Sequence, residues 1–383
     1  MKILQPRLNY QFRCRDILKS FAAIFSYKSP SDNLLYKLFK TNDMFFFNHG
    51  RTGLREILQL MPINSVVGVQ PLTCPTVLEA IESAGHRICF IDINDELVID
   101  EKTISAKTDK IDILIITHIF GYVAPVSELK ELLTDKIIIE DCAHAFLSER
   151  NGITAGSQGN FAFFSYGFAK YPAALRGGFV VVNDKSYLPE FEKRYSVLTY
   201  PGFIKEMTNL LFSKILLLMH KRIIYTMLTS KMKMRKFRYR KPVIGNEIYR
   251  EYKSSRAVLD SLLTDITQLS DKQQNNEKVL RAALTKNKSF RICQPSEGRN
   301  GFMLPVFVNN PDHFIVFAKK NGIEIGRHFY RSKDIVPHYF YVKRECENYE
   351  KVINKLVLLP THYNYPEQQL KKLINIIERF HNE

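Results

Sequence analysis

FFSYGFAKYPAALRGG, residues 163–178, decides how the rest of this chain is read. It lies between a turn-rich segment, NGITAGSQGN (151–160), and an apolar run, FVVVND (179–184). It places one lysine, Lys170, among aromatic, small and apolar residues. A lysine in such surroundings loses solvation, which lowers its pKa and frees a neutral amine able to attack a carbonyl. A solvated loop lysine is the plain alternative.

Outward from this stretch, residues 44–185 alternate between short apolar runs and helical patterns. RTGLREILQLM (51–61) has Leu54, Ile57, Leu58 and Met61 at helical spacing. PTVLEAIESAG (75–85) reads as a helix closed by Gly85, and SELKELL (127–133) as a shorter one. SVVGVQ, RICFIDI, DILIITHIF and KIIIED read as buried strands. This β–α–β–α order predicts a mostly parallel sheet covered by helices. Ligands in such sheets sit beyond the C-terminal strand ends. The residues there are Asp141, Cys142, Ala143 and His144 after KIIIE, and His118 after DILIIT. NHGRTG (48–53) is a glycine-containing turn into a helix, where free N–H groups and the dipole favour a phosphate.

The composition is that of a globular protein, with 383 residues, 45% hydrophobic and 25% charged. A net charge of +16 calls for an anionic partner or surface. Six cysteines without a CxxC pair argue against a zinc site or a disulfide scaffold and fit a reducing compartment. The N-terminus lacks the apolar core of a signal peptide, and no apolar stretch is long enough to span a bilayer. A cytoplasmic location follows as the expectation. His86, His220, His313, His338 and His381 have no ligand-like spacing and read as surface or packing residues.

Residues 203–241 break the rhythm. FIKEMTNLLFSKILLLMHKRIIYTMLTS is apolar with charges about every two helical turns, and KMKMRKFRYRK adds seven basic residues and no acidic one. Two readings stay open. The segment fits a helix lying in an anionic membrane interface, at the inner face of the membrane. It equally fits a core-packing helix followed by a solvated basic loop. No helix-turn-helix or RNA-binding signature accompanies the basic run, so nucleic acid is not expected. From 243 onward, helices over EYKSSRAVLDSLLTDITQL (ending near Ser270), DHFIVFAKK and YEKVINK, a strand at GFMLPVFV and a closing helix predict a smaller α+β domain. The boundaries expected are 1–242 for a large domain carrying the 203–241 insert and 243–383 for the small one.

Lys170 gains meaning from its companions. Asp141 ends a buried strand 29 positions earlier, Ser165 stands five before, and a glycine turn opens a helix. An amine, a buried carboxylate, a hydroxyl and a phosphate seat are the parts a pyridoxal phosphate site needs. The joint pattern resembles the DegT/DnrJ/StrS family of sugar aminotransferases. It rests on Glu140-Asp141-Cys142-Ala143-His144, on Phe164-Ser165-Tyr166-Gly167-Phe168-Ala169-Lys170, on Gly177-Gly178 before VVVND, on Gly50-Arg51-Thr52-Gly53-Leu54 and on THIFG (117–121). Segments near Gly322-Ile323, Arg327-His328-Phe329 and LVLLPTH add to it.

The resemblance implies an α/β protein with the pyridoxal-phosphate-dependent transferase fold of type I. It implies Lys170 as Schiff-base lysine and proton-moving base, Asp141 on the pyridine nitrogen and His144 beside the ring hydroxyl oxygen. It implies Ser165 and the N–H groups around Gly50, Arg51 and Thr52 at the phosphate. It further implies an amino donor, glutamate, a keto-sugar acceptor linked to a nucleotide, and a homodimer. Retention of the lysine favours transamination over sugar dehydration. The chain departs from the family at three places. Cys74 stands where an aromatic residue stacks on the ring. Ser254 (or Gly245-Asn246) stands where an asparagine reaches the phosphate of the other subunit. Arg176 replaces an acidic residue before Gly177. The departures at Cys74 and Ser254 motivate the alternative of a silent regulator or scaffold that keeps the fold, against which stand Asp141 and Lys170.

Overall fold

The computed structural model describes residues 2–8, 14–26, 34–231, 247–294, 298–327, 329–330, 332–339 and 341–381. Gly245, Asn246, His328 and all but the first residue of the basic run 231–241 lie outside the described residues. Helices α1 (Cys14–Ser26) and α2 (Leu34–Phe39) precede the main sheet. The chain then alternates β1 (Met44–Phe47), α3 (Gly50–Leu58), β2 (Val66–Val69), α4 (Pro75–Ser83), β3 (Arg87–Phe90), α5 (Glu101–Ser105), β4 (Ile113–Thr117), α6 (Val126–Leu132) and β5 (Ile137–Asp141). A two-residue hairpin, β6 (Glu149–Arg150) and β7 (Ile153–Thr154), leads to β8 (Phe161–Ser165) and β9 (Gly178–Val182).

The seven-stranded sheet has the order β1-β9-β8-β5-β4-β2-β3. Pairs among β8, β5, β4, β2 and β3 are parallel, and β9 runs antiparallel to both β8 and β1. So β1, β2, β4, β5 and β8 end at the same edge, and β9 enters from it. The expectation of a mostly parallel sheet is met, and the reason is compositional. ILIIT and IIIED are rich in β-branched residues and almost wholly buried, as a strand covered on both faces requires. Phe164 and Phe179 stack at 4.5 Å between β8 and β9, with Phe39 of α2 at 4.9 Å from Phe164.

After the sheet come α7 (Leu188–Ser196), α8 (Phe203–Met219) and α9 (Arg222–Lys231), so the apolar segment expected as one helix is two. Then follow α10 (Lys253–Leu263), α11 (Ile266–Leu284), β10 (Phe290–Ile292), β11 (Leu304–Val308), α12 (Pro311–Lys320), α13 (Ser332–Ile335), α14 (Glu347–Lys355), β12 (Leu356–Leu359) and α15 (Glu367–Arg379). The helix expected to stop near Ser270 instead restarts at Ile266 and runs to Leu284. Its polar stretch is buried and bonded: Gln273 donates to the Asn300 carbonyl at 2.8 Å and Asn276 to that of Thr361 at 3.0 Å. Strands β10, β11 and β12 form an antiparallel sheet whose own core gathers Leu280, Val306, Phe314, Leu373 and Phe380. The N-terminal segment joins this sheet's neighbourhood, since Gln5 pairs with Ile323 and the Leu4 N–H donates to Thr226 of α9 at 2.9 Å. Helix α10 packs against α1, and Arg256 lies 3.7 Å over the Phe46 ring. Among the described residues no helix is long and apolar enough to cross a membrane.

Candidate active site

A cavity of about 300 Å³ opens at the shared strand edge. Each strand end delivers part of its wall. His49, Gly50 and Arg51 follow β1, Cys74, Thr76 and Val77 follow β2, and Asp141 and Ala143 end β5. Ser165 to Lys170 follow β8, and Leu175 to Gly177 precede β9. The topology thus brings together residues far apart in sequence.

Helix α3 is aimed at the cavity by close backbone contact. A Cβ on Gly178 would lie 2.5 Å from the Gly50 nitrogen, and one on Gly50 would lie 2.9 Å from the Phe164 carbonyl oxygen. Only glycine lets β9, β8 and the start of α3 approach this closely. The first N–H groups of α3 therefore face the cavity without an intrahelical acceptor. The Thr52 N–H is different, for it turns back to the His49 carbonyl at 3.2 Å.

Asp141 is buried, and its Oδ1 accepts from the Ala143 N–H at 3.0 Å. Its Oδ2 has no hydrogen-bond partner among the described residues. Burial pushes its carboxyl above the usual range, while the Ala143 N–H and the charges of Lys170 and His118 pull it back. Burial lowers the Lys170 pKa, opposed by Cys74 and Asp141. Lys170, Arg51 and Arg176 have no hydrogen-bond or ion-pair partner among the described residues. Burial and then the charges of Arg51 and Arg176 hold His49 down at about 3, so it is neutral. The Ser165 hydroxyl lies 3.4 Å from the Gly177 carbonyl and lines the cavity.

Of the residues expected from sequence, Gly50, Arg51, Cys74, Asp141, Ser165 and Lys170 share this cavity. His144 and Thr52 are not in its lining. His144 sits behind Ala143, stacked with Phe120 at 5.6 Å and Phe329 at 5.6 Å, and its Nδ1 accepts from the Phe120 N–H at 3.3 Å. Ser254 is fully buried in its own chain, where its hydroxyl donates to Glu206 at 2.5 Å and it accepts from Asn209 at 3.2 Å. Its hydroxyl is thus engaged within this chain rather than presented at the surface. Arg327 is held by the Ile353 and Asn354 carbonyls at 3.0 and 2.7 Å, away from the cavity. His49, Ala143 and Phe168 line the cavity as well; all three lie inside segments singled out from the sequence, which assigned them no role of their own.

His118, Glu140 and Cys142 place possible ligand atoms within 4.8 Å of one another. Their hydrogen bonds explain them as a clamp. His118 Nδ1 accepts from the Ala124 N–H, so its Nε2 donates to Glu140 at 2.8 Å. Glu140 also accepts from the N–H groups of Gly156, Gln158 and Gly159 at 2.6–2.8 Å, which fixes the turn before β8.

Residues 35–378 match the model of the DegT/DnrJ/EryC1/StrS aminotransferase family. The chain belongs to that family. A stretch of 126 residues is 34% identical to the dTDP-3-amino-3,4,6-trideoxy-alpha-D-glucose transaminase of Micromonospora megalomicea subsp. nigra, covering 32% of this chain and 33% of that one. A stretch of 122 residues is 31% identical to the GDP-perosamine synthase of Escherichia coli O157:H7, covering 31% and 34%. The similarity thus spans about a third of these curated relatives. Among solved structures, the sugar aminotransferase CalS13 from Micromonospora echinospora superposes with a TM-score of 0.77 at 17% identity, over 98% of this chain and 99% of that one. Spr1654 from Streptococcus pneumoniae in its PLP-form gives 0.76 at 14% identity, over 98% of each. These likenesses establish the fold, which is that of the sugar aminotransferases.

Proposed function

We propose that this protein uses pyridoxal 5'-phosphate to move an amino group from glutamate to a keto-sugar carried on a nucleotide. The observation that carries this reading is the amine of Lys170 and the open carboxylate oxygen of Asp141 facing one cavity at the strand ends. The donor set fits the cofactor. Asp141 would pair with the pyridine nitrogen, and Lys170 would hold the aldehyde carbon. The Ser165 hydroxyl and the Gly50 and Arg51 N–H groups would take the phosphate, with Arg51 supplying countercharge.

When bound, the cofactor supplies an electron sink that acidifies the C–H bond beside the substrate nitrogen. The rest falls to the chain. Burial lowers the Lys170 pKa, which favours an amine able to take a proton from the donor carbon and return it to the acceptor. Val77, Phe163, Phe168 and Leu175 wall the cavity with apolar surface and exclude water from that transfer. Cys74, whose Sγ lies 3.1 Å from Thr76 Oγ1, lines the cavity and would offer the cofactor a thiol in place of an aromatic face.

Nucleotide-sugar relatives and the unpaired guanidinium of Arg176 at the cavity support a phosphate-bearing acceptor. Such substrates belong to the building of amino-sugars and surface polysaccharides, and a cytoplasmic location is part of the same reading. The same reading includes a homodimer, to be measured by light scattering. The decisive experiment is the visible spectrum of the purified protein with pyridoxal phosphate, before and after glutamate, beside Lys170→Ala. A band of lysine-bound cofactor that glutamate converts to the pyridoxamine form, and that the variant lacks, is the expected result. No such band in the intact protein would instead favour a scaffold that keeps the fold.

A further inference from the structure

Helix α8 is sorted in reverse. Glu206, Asn209 and Ser213 are buried, while Ile204, Leu211, Phe212, Ile215 and Leu218 are exposed. The inner polar residues are all bonded: Glu206 accepts from the Lys253 N–H at 2.6 Å, Asn209 donates to Ser255 at 3.0 Å, and Ser213 donates to the Asn209 carbonyl at 2.6 Å. Positions 204, 211, 215 and 218 lie on one helical face, so the exposed apolar residues form a stripe.

The stripe continues on both sides. On α9, Ile223 is 63% and Met227 59% exposed. On α1, Leu18 is 70% and Phe25 65% exposed, and the Phe25 ring lies 5.8 Å from that of Phe203 at the start of α8. Soluble monomers rarely expose apolar patches of this extent without a partner.

The charges say which partner. Lys19 on α1, Lys214 on α8 and Lys221 in the turn between α8 and α9 are exposed. The only acidic residues of α1, α8 and α9 are Asp16 and Glu206, and both are buried. Asp16 accepts from Ser261 at 2.7 Å, and Glu206 is held as described. The described side chains of α1, α8 and α9 therefore present apolar and cationic groups with no exposed carboxylate of their own, and Glu247, outside these helices, pairs with Lys205 near the start of α8. A second copy meeting this face symmetrically would set the same lysines against one another. An anionic lipid surface receives both components, cations at the headgroups and apolar side chains just below them.

We infer that the α1–α8–α9 face docks peripherally on an anionic bilayer and holds the cavity mouth near its surface. Phe212 of α8 makes the link to the cavity. Its ring lies 6.2 Å from that of Phe168, and the Arg176 guanidinium lies 5.9 Å from its centre. Phe168 and Arg176 both line the cavity. Substrate and product would then exchange next to the membrane. The inference rests on the helical face and stands whatever reaction the cavity performs.

The test is co-sedimentation of the full chain with phosphatidylglycerol-containing vesicles and with pure phosphatidylcholine vesicles, at low and high salt. Binding is expected to the anionic vesicles only, and to weaken with salt. Lys214→Glu with Lys221→Glu, both at exposed positions, should lower partitioning by on the order of thirty-fold or more. Leu211→Asp with Ile215→Asp should abolish it while circular dichroism stays unchanged. If that pair fails to fold, the lysine pair decides. Full chain left in the supernatant with anionic vesicles overturns the inference, as does a lysine pair that binds like the parent. A dimer that Leu211→Asp with Ile215→Asp turns into a monomer, seen by light scattering, also overturns it, because the face would then join two copies. The cofactor spectrum of each variant in solution separates loss of docking from loss of the catalytic site.

Discussion

The strand-edge cavity and the α1–α8–α9 face both invert the usual placement of side chains, in opposite directions. The cavity holds Lys170, Arg51 and Arg176 against Val77, Phe163, Phe168 and Leu175, with Asp141 as its one carboxylate. The helical face holds Leu18, Leu211, Ile223 and Met227 toward water while Glu206, Asn209 and Ser213 are bonded inside. Partly desolvated cations without a counterion are costly, and so is a continuous apolar stripe in water. Under the proposed function and the proposed docking, each cost would be relieved by a companion from outside the chain: anionic cofactor and substrate in one case, lipid in the other. The comparison also separates two kinds of buried polar group. Those of α8 are bonded across to α10 and serve the fold, although the Asn209 Oδ1 is left without a partner, whereas those of the cavity are open to a ligand.

Neighbouring residues on β5 give the sharpest form of that distinction. Lys170→Ala should cost about 10²–10⁴-fold in transfer rate, the range for loss of a positioned base, with little change in stability. Asp141→Asn should behave similarly, because one of its oxygens faces the cavity. Glu140→Ala should do the opposite. It removes the acceptor of three backbone N–H groups and of His118, all buried, and should cost about 3–5 kcal/mol in denaturant unfolding. A Glu140 variant of parental stability would break the division between satisfied and open groups.

How much of this could be read from the sequence differs between the two regions. The cavity was legible because strand ends in a parallel sheet converge, and because Asp141, Ser165 and Lys170 stand at fixed offsets from apolar runs. Two positions within those motifs were not. One residue along a turn or helix start redirects a side chain or N–H, so Ala143 faces the cavity and His144 turns into the Phe120–Phe329 stack. Thr52 likewise lies one step further into α3 than Arg51. On the helical face, periodicity revealed that α8 has an apolar stripe and left open which way it points. That direction depends on Ser254 and Ser255 of α10, which receive Glu206 and Asn209, and no local pattern announces such a pairing. For the same reason the polar middle of α11 read as an ending, since its partners, the carbonyls of Asn300 and Thr361, are remote in sequence.

Behind the cavity, a buried base supplies a pH-dependent version of the comparison. His362 packs 4.1 Å from Tyr363, whose ring lies 6.0 Å from that of Tyr171, the neighbour of Lys170. Burial, with Lys272 adding to it, lowers the His362 pKa from 6.5 to about 3. Its Nδ1 accepts from the Asn364 N–H at 3.2 Å, which requires the neutral ring. Between those two pKa values the unfolded chain binds more protons than the folded one, so stability falls as pH drops through that window. At pH 5 this amounts to about 2 kcal/mol. His362→Asn retains an acceptor without the titration. It should narrow the stability difference between pH 7.5 and pH 5 by about 2 kcal/mol in urea unfolding, whatever it does to stability at neutral pH. An unchanged difference would place this ring in contact with solvent.

The smallest effect is expected where the side chain is largest relative to its contacts. Leu218 on α8 is 50% exposed, whereas Leu259 on α10 is 0% exposed. Leu259→Ala should cost about 2–5 kcal/mol through lost contacts and a cavity. Leu218→Gln should stay within about 0.5 kcal/mol, the range for an exposed position away from caps and networks. Thermal unfolding at several protein concentrations compares the two. A Leu218 cost near that of Leu259 that grows with protein concentration would mean a second copy covers α8 in solution. A cost near zero at every concentration leaves the stripe open in the dissolved protein, where it contributes nothing to folding. Its apolar surface would then be maintained for a contact made only elsewhere, as docking on a bilayer requires.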